Sequence, residues 1–338
     1  MPTIQQIADL AGVSRGTVDR VLHVRPNVST AVREKVIRAA KLLNYQPGKA
    51  AGQVLKRAVI LIPPWTDAYF NRQISSGIRR ALRYIADPSF DLQEQPLQTM
   101  TTQELLRAMR KQLSIGVDGL IIRAENTPEV RLAIDQATAR GVSVITYDAD
   151  VPGSVRLCHV GQDLWRAGAI AAGVMARLIR PPEHVLVVAG NLRMEAHKGR
   201  VDGFCSRLQE LGFPSDAYRV IETNEMPSLT SELVARAFMT DPALRAVYMA
   251  TQPVSGCIAG LRRIRTARTT PIHVVCNDLT PTAKRYLCEG RVDFVVGQAF
   301  SQESYRAVLA MYQMLMHGKR PRQEIYYTDL SLICKEML

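Results

Sequence analysis

Two arginine side chains, Arg15 and Arg20, stand close together near the amino terminus, where they could bind nucleic acid. A guanidinium group donates paired hydrogen bonds to the edge of guanine and to phosphate oxygens. The apolar residues Val18, Val21 and Leu22 recur at helical spacing in the same segment, so it reads as one short helix with a buried side. A short helix with arginines in its first turns is typical of elements that enter the major groove of DNA.

The residues before this segment predict a second helix and a tight turn between the two. Thr3 and Gln6 form a capping-box pattern, which starts a helix. Gly12 can adopt a positive φ and turn the chain, and Ser14 can cap the helix that follows. Together these signals predict a helix-turn-helix, with an ordinary small helical subdomain as the alternative. The buried face of the first helix is predicted at Ile4, Ile7, Ala8 and Ala11.

Basic residues are concentrated in the same part of the chain. The protein has 43 Lys and Arg against 31 Asp and Glu, a formal net charge of +12. Residues 1–57 contain ten of the basic residues and three of the acids, which is +7 of that total. Because the positive charge is concentrated in residues 1–57 and the rest of the chain has a nearly balanced charge, we expect only the amino-terminal segment to contact phosphate groups. Ser29 is expected to cap a third helix, whose exposed face carries Arg33, Lys35, Arg38 and Lys41.

From residue 58 onward, short apolar runs alternate with amphipathic segments. This alternation predicts parallel sheets with helices on both faces, an α/β architecture. The stretch of about 280 residues is long for one open sheet, so we expect two lobes with a cleft between them. Ligands of such sheets bind beyond the carboxyl ends of the strands. The predicted strands are 58–62, 119–123, 142–147, 184–190, 244–250, 272–276 and 293–297.

The predicted organisation is therefore an all-α headpiece, a linker and a two-lobed core. The headpiece is residues 1–46, the hinge or linker is 47–57, and the effector-binding and dimerisation core is 58–338. Within the core, lobe 1 is predicted at about 58–158 plus 299–324, and lobe 2 at about 159–298 plus 325–338.

Several classes of protein are disfavoured by the sequence. No run of eighteen apolar residues predicts a transmembrane helix, and the first residues do not form a signal peptide, so a cytoplasmic protein is expected. The six cysteines are scattered without a C-x-x-C pair, and no His or Cys pair has ligand spacing, so neither a metal nor another cofactor is expected. The chain lacks G-x-S-x-G, H-E-x-x-H, Walker and G-x-G-x-x-G sequences, so it is not predicted to be an enzyme.

A specific set of residues in the headpiece carries a family resemblance. They are Ile7-Ala8, Ala11-Gly12-Val13-Ser14, Thr17-Val18, Arg20-Val21-Leu22, Val28-Ser29, Arg33-Glu34-Lys35-Val36 and Leu43-Asn44-Tyr45 followed by Pro47. With these residues the chain resembles the LacI-type bacterial transcription repressors, and its core resembles the periplasmic sugar-binding proteins of the ribose type. The resemblance implies a repressor that binds a palindromic operator as a homodimer, in the cytoplasm at the nucleoid.

The resemblance also implies which headpiece residues contact DNA. The positions of Arg15, Gly16 and Arg20 face operator bases in the family. Gly16 has no side chain, so base specificity there depends on the two arginines or on DNA shape. Family members insert a leucine from the hinge into the minor groove, a position held here by Val54 or Leu55. The predicted DNA-binding residues are Thr3, Ser14, Arg15, Gly16, Thr17, Arg20, Asn27, Ser29, Val54 and Leu55.

A ligand pocket is implied at the strand ends of the core. Asp67, Tyr69 and Phe70 stand where ribose-type binders have an asparagine and two stacking aromatics, although the two aromatics could equally be core residues. Asp148 matches an aspartate of the family pocket, and Ala149 replaces the usual arginine after it. The predicted ligand-binding residues are Asp67, Tyr69, Phe70, Asp148, Asp150, Arg200, Thr251, Asp278 and Gln298.

Four acids, one arginine and two aromatics favour a neutral polyhydroxy ligand, a sugar or polyol, over a phosphate or a carboxylate. The same acids could suit a ligand with an amine. Ligand binding is expected to change DNA affinity, either as induction or as co-repression, through its differential affinity for two states. Two further classes remain open at this point: a solute-binding protein without a DNA role, and a sugar-acting hydrolase, since paired acids also occur in glycosidases.

Overall fold

The structure is a computed structural model that describes residues 3–22, 28–43, 55–65, 67–264 and 270–338. The chain divides into two compact units, Met1–Lys56 with Ala86–Asp91, and Arg57–Ile85 with Leu92–Leu338. The first unit contains the headpiece and the second contains nearly all of the core. In the described part of the chain, no helix combines the length and apolar character needed to cross a membrane.

Three helices form the headpiece: α1 (Ile4–Ala11), α2 (Arg15–Leu22) and α3 (Thr30–Leu42). The capping box at the start of α1 is present, because the Gln6 amide donates to Thr3 Oγ1 (3.3 Å) and the Thr3 amide donates to Gln6 Oε1 (2.8 Å). Gly12 ends α1 with a φ of 65°, a conformation that glycine adopts without strain. The three helices enclose a small apolar core of Ile7, Ala8, Val18, Val21, Val36, Ala39 and Ala40.

The core alternates strands and helices along the chain. Its strands are β1 (Lys56–Ile62), β2 (Phe90–Pro96), β3 (Gly119–Ile122), β4 (Ser143–Tyr147), β5 (Cys158–Gly161), β6 (His184–Ala189), β7 (Tyr218–Glu222), β8 (Leu244–Met249), β9 (His273–Asn277), β10 (Phe294–Gly297), β11 (Ile325–Tyr327) and β12 (Ser331–Ile333). Its helices are α4 (Ala68–Ile85), α5 (Thr102–Ile115), α6 (Pro128–Ala139), α7 (Leu164–Leu178), α8 (Glu195–Glu210), α9 (Pro227–Thr240), α10 (Val254–Ile264), α11 (Pro281–Cys288) and α12 (Phe300–His317).

The strands form two sheets with matching strand orders. The first sheet runs β11-β5-β4-β3-β1-β2 and the second runs β12-β10-β9-β8-β6-β7. Strand β11 lies parallel to β5, whereas β12 lies antiparallel to β10. Helices pack on both faces of the second sheet and bury separate apolar clusters there. The predicted α/β class with two parallel sheets and a helical headpiece is therefore confirmed.

The lobe boundaries differ from those predicted. Strands β5 and β11 pair with each other and extend the first sheet beyond β4, so 159–161 and 325–327 belong to lobe 1 and not to lobe 2. The hydrogen-bonding edge of β4 is completed by β5, which is why the chain leaves lobe 1 only after Gly161. We call the three connections between the sheets the crossover segments; they are residues 162–163, 298–299 and 328–330.

Candidate functional site

Helix α2 presents its arginines on the side opposite its apolar residues. Arg15, Gly16 and Arg20 are exposed, while Val18 and Val21 of the same helix are buried. The apolar side holds the helix on the headpiece, and the guanidinium groups remain accessible. This placement gives α2 the surface that a helix needs to enter the major groove.

Some hydroxyl groups predicted to contact DNA also hold the headpiece helices. The Thr17 amide donates to Ser14 Oγ (3.1 Å), and the hydroxyl oxygens of these two residues lie 2.9 Å apart. Ser29 Oγ accepts from the Val32 amide (3.4 Å) at the start of α3, and Thr3 caps α1. A hydroxyl has a second lone pair and a rotatable proton, so a capping residue can still bind a phosphate oxygen.

Of the two candidates for the minor-groove wedge, the structure describes Leu55 but not Val54. Leu55 is exposed, with 52% of its surface accessible, as expected of a side chain that inserts into the minor groove of DNA. Val54 lies outside the described residues, as does Asn27, the remaining predicted DNA contact. The choice between Val54 and Leu55 therefore stays a prediction.

In the core, polar residues follow directly on the strands of both sheets. Arg123 follows β3, Asp148 follows β4 and Gln162 follows β5 in the first sheet. Asp278 follows β9 and Gln298 follows β10 in the second. Carboxyl ends of parallel strands share one edge of a sheet, which brings side chains distant in sequence into one site.

Arg200 lies at the centre of this group, on α8, and is only 4% exposed. Its Nη2 donates to Gln298 Oε1 (2.7 Å) and to Gln162 Oε1 (2.8 Å), and its Nε also approaches Gln162 Oε1 (3.1 Å). The Asp278 carboxylate lies 3.5 Å from both Nη atoms. Gln162 and Gln298 belong to two of the crossover segments, so one guanidinium connects lobe 2 to two of the connections between the lobes.

The electrostatics of Arg200 and Asp278 are set by burial and by each other. Burial raises the pKa of Asp278, Arg200 opposes this, and the nearby Asp148 charge adds to the increase, so the net pKa is above its ordinary value. Burial is the largest effect and acts to lower the pKa of Arg200, but the nearby Asp278, Tyr248 and Asp148 together outweigh it, so the pKa is raised. The oxygens of the Asp278 carboxyl can accept hydrogen bonds from donors on a ligand.

Close packing of α7 against α8 positions Arg200. A Cβ atom at Gly168 would overlap the Arg200 carbonyl oxygen, and one at Gly203 would overlap the Trp165 carbonyl oxygen. Only hydrogen at these two positions lets the backbones approach so closely. The backbone of Arg200 is thus held against α7, and its side chain is directed by that contact.

Asp148 has two partners and a strained backbone. It adopts a φ of 61°, in the left-handed region that is uncommon for aspartate. Its carboxylate accepts from Arg123 Nε (2.6 Å) and from Gln298 Nε2 (2.8 Å). Arg123 comes from the end of the neighbouring strand and supplies the cation that Ala149 does not provide.

An aromatic cluster covers one side of this group. The Phe70 ring lies 5.1 Å from the Trp65 ring, 5.4 Å from the Tyr69 ring and 5.0 Å from the Phe300 ring. Phe70 is buried within the cluster, so it is better described as a core residue than as a stacking surface. Trp65, which was not predicted, carries the Arg123 guanidinium 4.8 Å from its ring centre, and its buried Nε1 has no hydrogen-bond partner among the described residues.

Tyr69 and Asp67 are linked at the start of α4. Asp67 Oδ1 accepts from the Tyr69 amide (2.8 Å), so this acid caps the helix. Burial raises the pKa of the Tyr69 hydroxyl, and the charges of Asp278 and Asp67 raise it further. This half-buried tyrosine therefore lies close enough to Asp278 for the two groups to interact electrostatically.

Thr251 belongs to a cluster that the sequence analysis did not detect. Its hydroxyl donates to Glu225 Oε1 (2.7 Å) and lies 3.0 Å from His197 Nε2. Burial is the largest effect and raises the pKa of Glu225, but the hydrogen bonds from His197 and Thr251 and the nearby His197 and Arg123 charges together leave the pKa lowered. Glu225 and the preceding Asn224 both have left-handed φ angles, 57° and 48°, a strain that is common at ligand-binding loops.

Asp150 requires a correction. Its carboxylate is bound by Arg156, with Nε to Oδ1 and Nη2 to Oδ2 distances of 2.5 Å, and it also accepts from Thr146 Oγ1 (2.7 Å). Burial is the largest effect and raises its pKa, but the hydrogen bonds from Arg156 and Thr146 and the nearby His159 and Arg156 charges together leave the pKa lowered. Arg156 continues to Glu324 (2.9 Å), so Asp150 stabilises the chain between β4 and β5 and is not part of the group around Arg200.

Glu303, another residue that was not predicted, lies beneath Gln298. Its Oε1 accepts from Gln298 Nε2 (3.0 Å) and from Thr328 Oγ1 (3.4 Å), while the buried Oε2 has no hydrogen-bond partner in the part of the chain that the structure describes. Burial raises the pKa of Glu303 well above its ordinary value, and the Asp148 charge adds to this. Since Thr328 lies on the third crossover segment, the network reaches all three of them.

Comparison with known proteins gives two family matches. Residues 58–320, more than half of the chain, match the family model described as a periplasmic binding protein domain. Residues 3–48 match the family model described as bacterial regulatory proteins, lacI family.

Several curated relatives are transcriptional regulators. The HTH-type transcriptional regulator MalR of Streptococcus pneumoniae is 23% identical over 257 residues, which are 72% of this chain and 74% of that protein. Catabolite control protein A of Priestia megaterium is 24% identical over 265 residues, 76% of each chain. The HTH-type transcriptional regulator CelR of Thermobifida fusca is 50% identical over 56 residues, 17% of this chain and 16% of that protein.

Solved structures share the fold of the core. GanP, a glucose-galactose binding protein from Geobacillus stearothermophilus, has a TM-score of 0.73 at 22% identity and covers 84% of this chain and 98% of its own. A periplasmic ribose ABC transporter from Conexibacter woesei has a TM-score of 0.73 at 19% identity, covering 84% and 94%. The two-lobed arrangement of parallel sheets is thus that of the periplasmic binding proteins.

Proposed function

The chain belongs to the LacI family of bacterial regulatory proteins and has a core of the periplasmic binding protein type, and from this premise we propose that it is a repressor whose operator affinity is set by a small polyhydroxy ligand. It is a DNA-binding transcriptional regulator and not an enzyme. The family membership excludes the hydrolase and the solute-binding protein without a DNA role.

The contacts of Arg200 are the observation that carries the ligand site. This guanidinium bonds to Gln162 and Gln298 on the crossover segments and approaches Asp278, and Gln298 in turn bonds to Asp148 of the other lobe. A ligand that hydrogen-bonds to both aspartates would fix the two lobes in one arrangement. It can change DNA affinity only by binding that arrangement more tightly than the alternative.

A sugar or polyol fits the chemistry of this group. Asp148 and Asp278 are strong acceptors for hydroxyl donors, Arg200 and Gln162 are donors, and the aromatic cluster suits the apolar face of a sugar ring. The named ligands of the structural neighbours, glucose, galactose and ribose, belong to the same class. The surplus of negative charge near Asp278 and Glu225 also allows a sugar with an amine.

Operator binding would use two copies of the chain. A homodimer presents two α2 helices related by a twofold axis, so it reads the two halves of a palindrome with a fixed spacing. Ligand binding in the core would alter the spacing of the headpieces or the order of the linker. Induction and co-repression are both compatible with this scheme, and the sign is read directly from operator affinity with and without ligand.

A thermal-shift screen of the full-length protein against sugars, polyols, amino sugars and amines tests the proposal first. A ligand that binds only the folded state raises the melting temperature, and a hit then enters calorimetry with the wild type, Asp278→Ala and the exposed control Asp216→Asn. Asp278→Ala should lose about 2–3 kcal/mol of binding free energy and the control none.

The outcomes separate the parts of the proposal. A polyhydroxy hit whose affinity is unchanged in Asp278→Ala would remove Asp278 from the site. Hits confined to amines without hydroxyl groups would overturn the ligand class while leaving the regulator assignment intact. A bound sugar that does not alter operator affinity in fluorescence anisotropy would overturn its role as effector.

A further inference from the structure

A pocket lies on lobe 1, and none of the residues that line it belongs to the group around Arg200. It has a volume of about 380 Å³ and lies between the last turns of α12, the chain that follows this helix, and β11. Volumes of this order are typical of sites for small molecules. Its apolar lining comprises Val160, Leu309, Ala310, Pro321 and Tyr326, and we call it the α12 pocket.

Four cationic side chains also line the α12 pocket, and no acidic residue does. They are Arg306, Lys319, Arg320 and Arg322. Within the described residues, none of the four forms an ion pair. Arg306 is held in place because its Nη1 donates to the Tyr327 carbonyl (2.8 Å), while the other three are exposed. Like charges gathered without a counter-ion repel each other, so an anion in the pocket would be favourable.

We propose that the α12 pocket binds an amphipathic anion, a small molecule with one acidic group and an apolar body such as an aromatic ring or a short acyl chain. The body would lie against Leu309, Ala310 and Tyr326, where it removes apolar surface from water. The acidic group would accept charge-assisted hydrogen bonds from the arginines. This chemistry is the opposite of the acid-rich group around Arg200, so the two sites do not compete for one class of ligand.

The position of the α12 pocket links it to the crossover segments. Val160 stands two residues before Gln162 of the first segment, α12 begins directly after the second, and Tyr326 stands two residues before Thr328 of the third. The Val160 carbonyl accepts from the amide of Asp148 (3.1 Å), which is one of the residues of the ligand group. An anion in the pocket would therefore contact Val160 and Tyr326, which stand close in sequence to the first and third connections between the lobes.

Fluorescence of 8-anilinonaphthalene-1-sulfonate with the full-length protein tests the proposal. This probe is an amphipathic monoanion, and we expect one saturable site on the folded protein. Octanoate should displace the probe, whereas octanamide, which has the same chain without the charge, and inorganic phosphate, which has charge without the chain, should not. Displacement by octanamide or by phosphate at equal concentration would overturn the proposed ligand class.

Matched variants locate the site. Arg320→Glu/Arg322→Glu should weaken probe binding about tenfold or more, while Arg140→Glu/Arg236→Glu, with the same change of net charge at exposed positions elsewhere, should not. Ala310→Trp should block binding by filling the pocket, with the melting temperature reporting that the fold is retained. Unchanged binding in both pocket variants, or equal losses in the charge-matched control, would overturn the assignment.

Discussion

Asp148 and Asp278 occupy equivalent positions in the two lobes and share one backbone conformation. Each follows the strand third from the edge of its sheet, β4 or β9, and each has a left-handed φ, 61° and 66°. The Asp148 amide donates to the Val160 carbonyl (3.1 Å), and the Asp278 amide donates to the Val296 carbonyl (2.9 Å). The two acids are thus presented to the site by the same structural device, used once in each lobe.

The same correspondence extends to the residues that bond to them. Val160-Gly161-Gln162 ends β5 and Val296-Gly297-Gln298 ends β10, so each glutamine begins a crossover segment at an equivalent place. The cations differ, because Asp148 pairs with Arg123 at 2.6 Å while Asp278 lies 3.5 Å from Arg200. Asp148 therefore already accepts two close hydrogen bonds, whereas Asp278 retains more capacity for a ligand.

Replacing Arg200 by lysine should weaken ligand binding about ten- to a hundredfold. Lysine keeps the charge, but one ammonium cannot bond to Gln162 and Gln298 and also approach Asp278 in the planar geometry of a guanidinium. Loss of a charged hydrogen bond costs roughly 1.5–3 kcal/mol. Calorimetry with the ligand from the screen measures the change, and Arg207→Lys on the exposed side of α8 is the control. Wild-type affinity in Arg200→Lys would show that the contacts to the glutamines are dispensable.

Gly203→Ala should destabilise the core by about 1–3 kcal/mol, since the new methyl group overlaps the Trp165 carbonyl and forces α7 and α8 apart. Urea unfolding followed by circular dichroism gives the free energy. The control is Gly173→Ala on α7, where the added methyl group meets no atom within 4 Å. Alanine there should stabilise the protein by about 0.5–1 kcal/mol, because glycine is the poorer helix former. Equal effects at both sites would mean that the close packing of the helices is not needed.

Glu303→Gln should change how stability depends on pH. The folded-state pKa of Glu303 lies well above its ordinary value because the carboxyl is buried, so the folded protein holds a proton that the unfolded chain releases. The buried carboxyl therefore lowers the free energy of unfolding, and this cost grows as the pH rises above the ordinary pKa of glutamate. The cost vanishes at low pH, where the carboxyl is protonated in both the folded and the unfolded state. Glutamine does not titrate and keeps an acceptor for Gln298 and Thr328.

Melting temperatures measured from pH 5 to pH 8 test this expectation, because the whole of this range lies above the ordinary pKa of glutamate. The variant should gain on the wild type as the pH rises. The exposed Glu210→Gln serves as the control and should follow the wild type. Parallel curves for Glu303→Gln and the wild type would mean that Glu303 titrates in its ordinary range.

Much of the fold could be predicted because its central strands are buried on both faces. Strands such as β3 and β10 are continuous apolar runs, which are recognisable without tertiary information. The edge strands β2 and β7 were missed, since Phe90–Pro96 and Tyr218–Glu222 are partly exposed and carry polar residues.

The candidate site could be predicted only in part. Residues directly after predicted strands were found, as with Asp148 and Asp278, and the repeated Val-Gly-Gln sequence is a signal that could have found Gln162. Glu225 had no such signal, since it lies in a loop after the undetected strand β7. Asp150 was misassigned because the sequence does not show that Arg156 binds both of its carboxylate oxygens.

Arg20→Ala should abolish sequence-specific DNA binding while leaving the fold and ligand binding intact. Arg20 is exposed on α2 next to the buried Val21, so removing it takes away a base or phosphate contact without disturbing the headpiece core. Fluorescence anisotropy with a duplex selected from genomic DNA by the wild-type protein measures the loss, with Arg236→Ala in the core as control. Wild-type binding should also fall steeply as salt is raised, because cations on the headpiece displace counter-ions from DNA. Retention of the selected duplex by Arg20→Ala at wild-type affinity would mean that α2 is not the element that reads DNA.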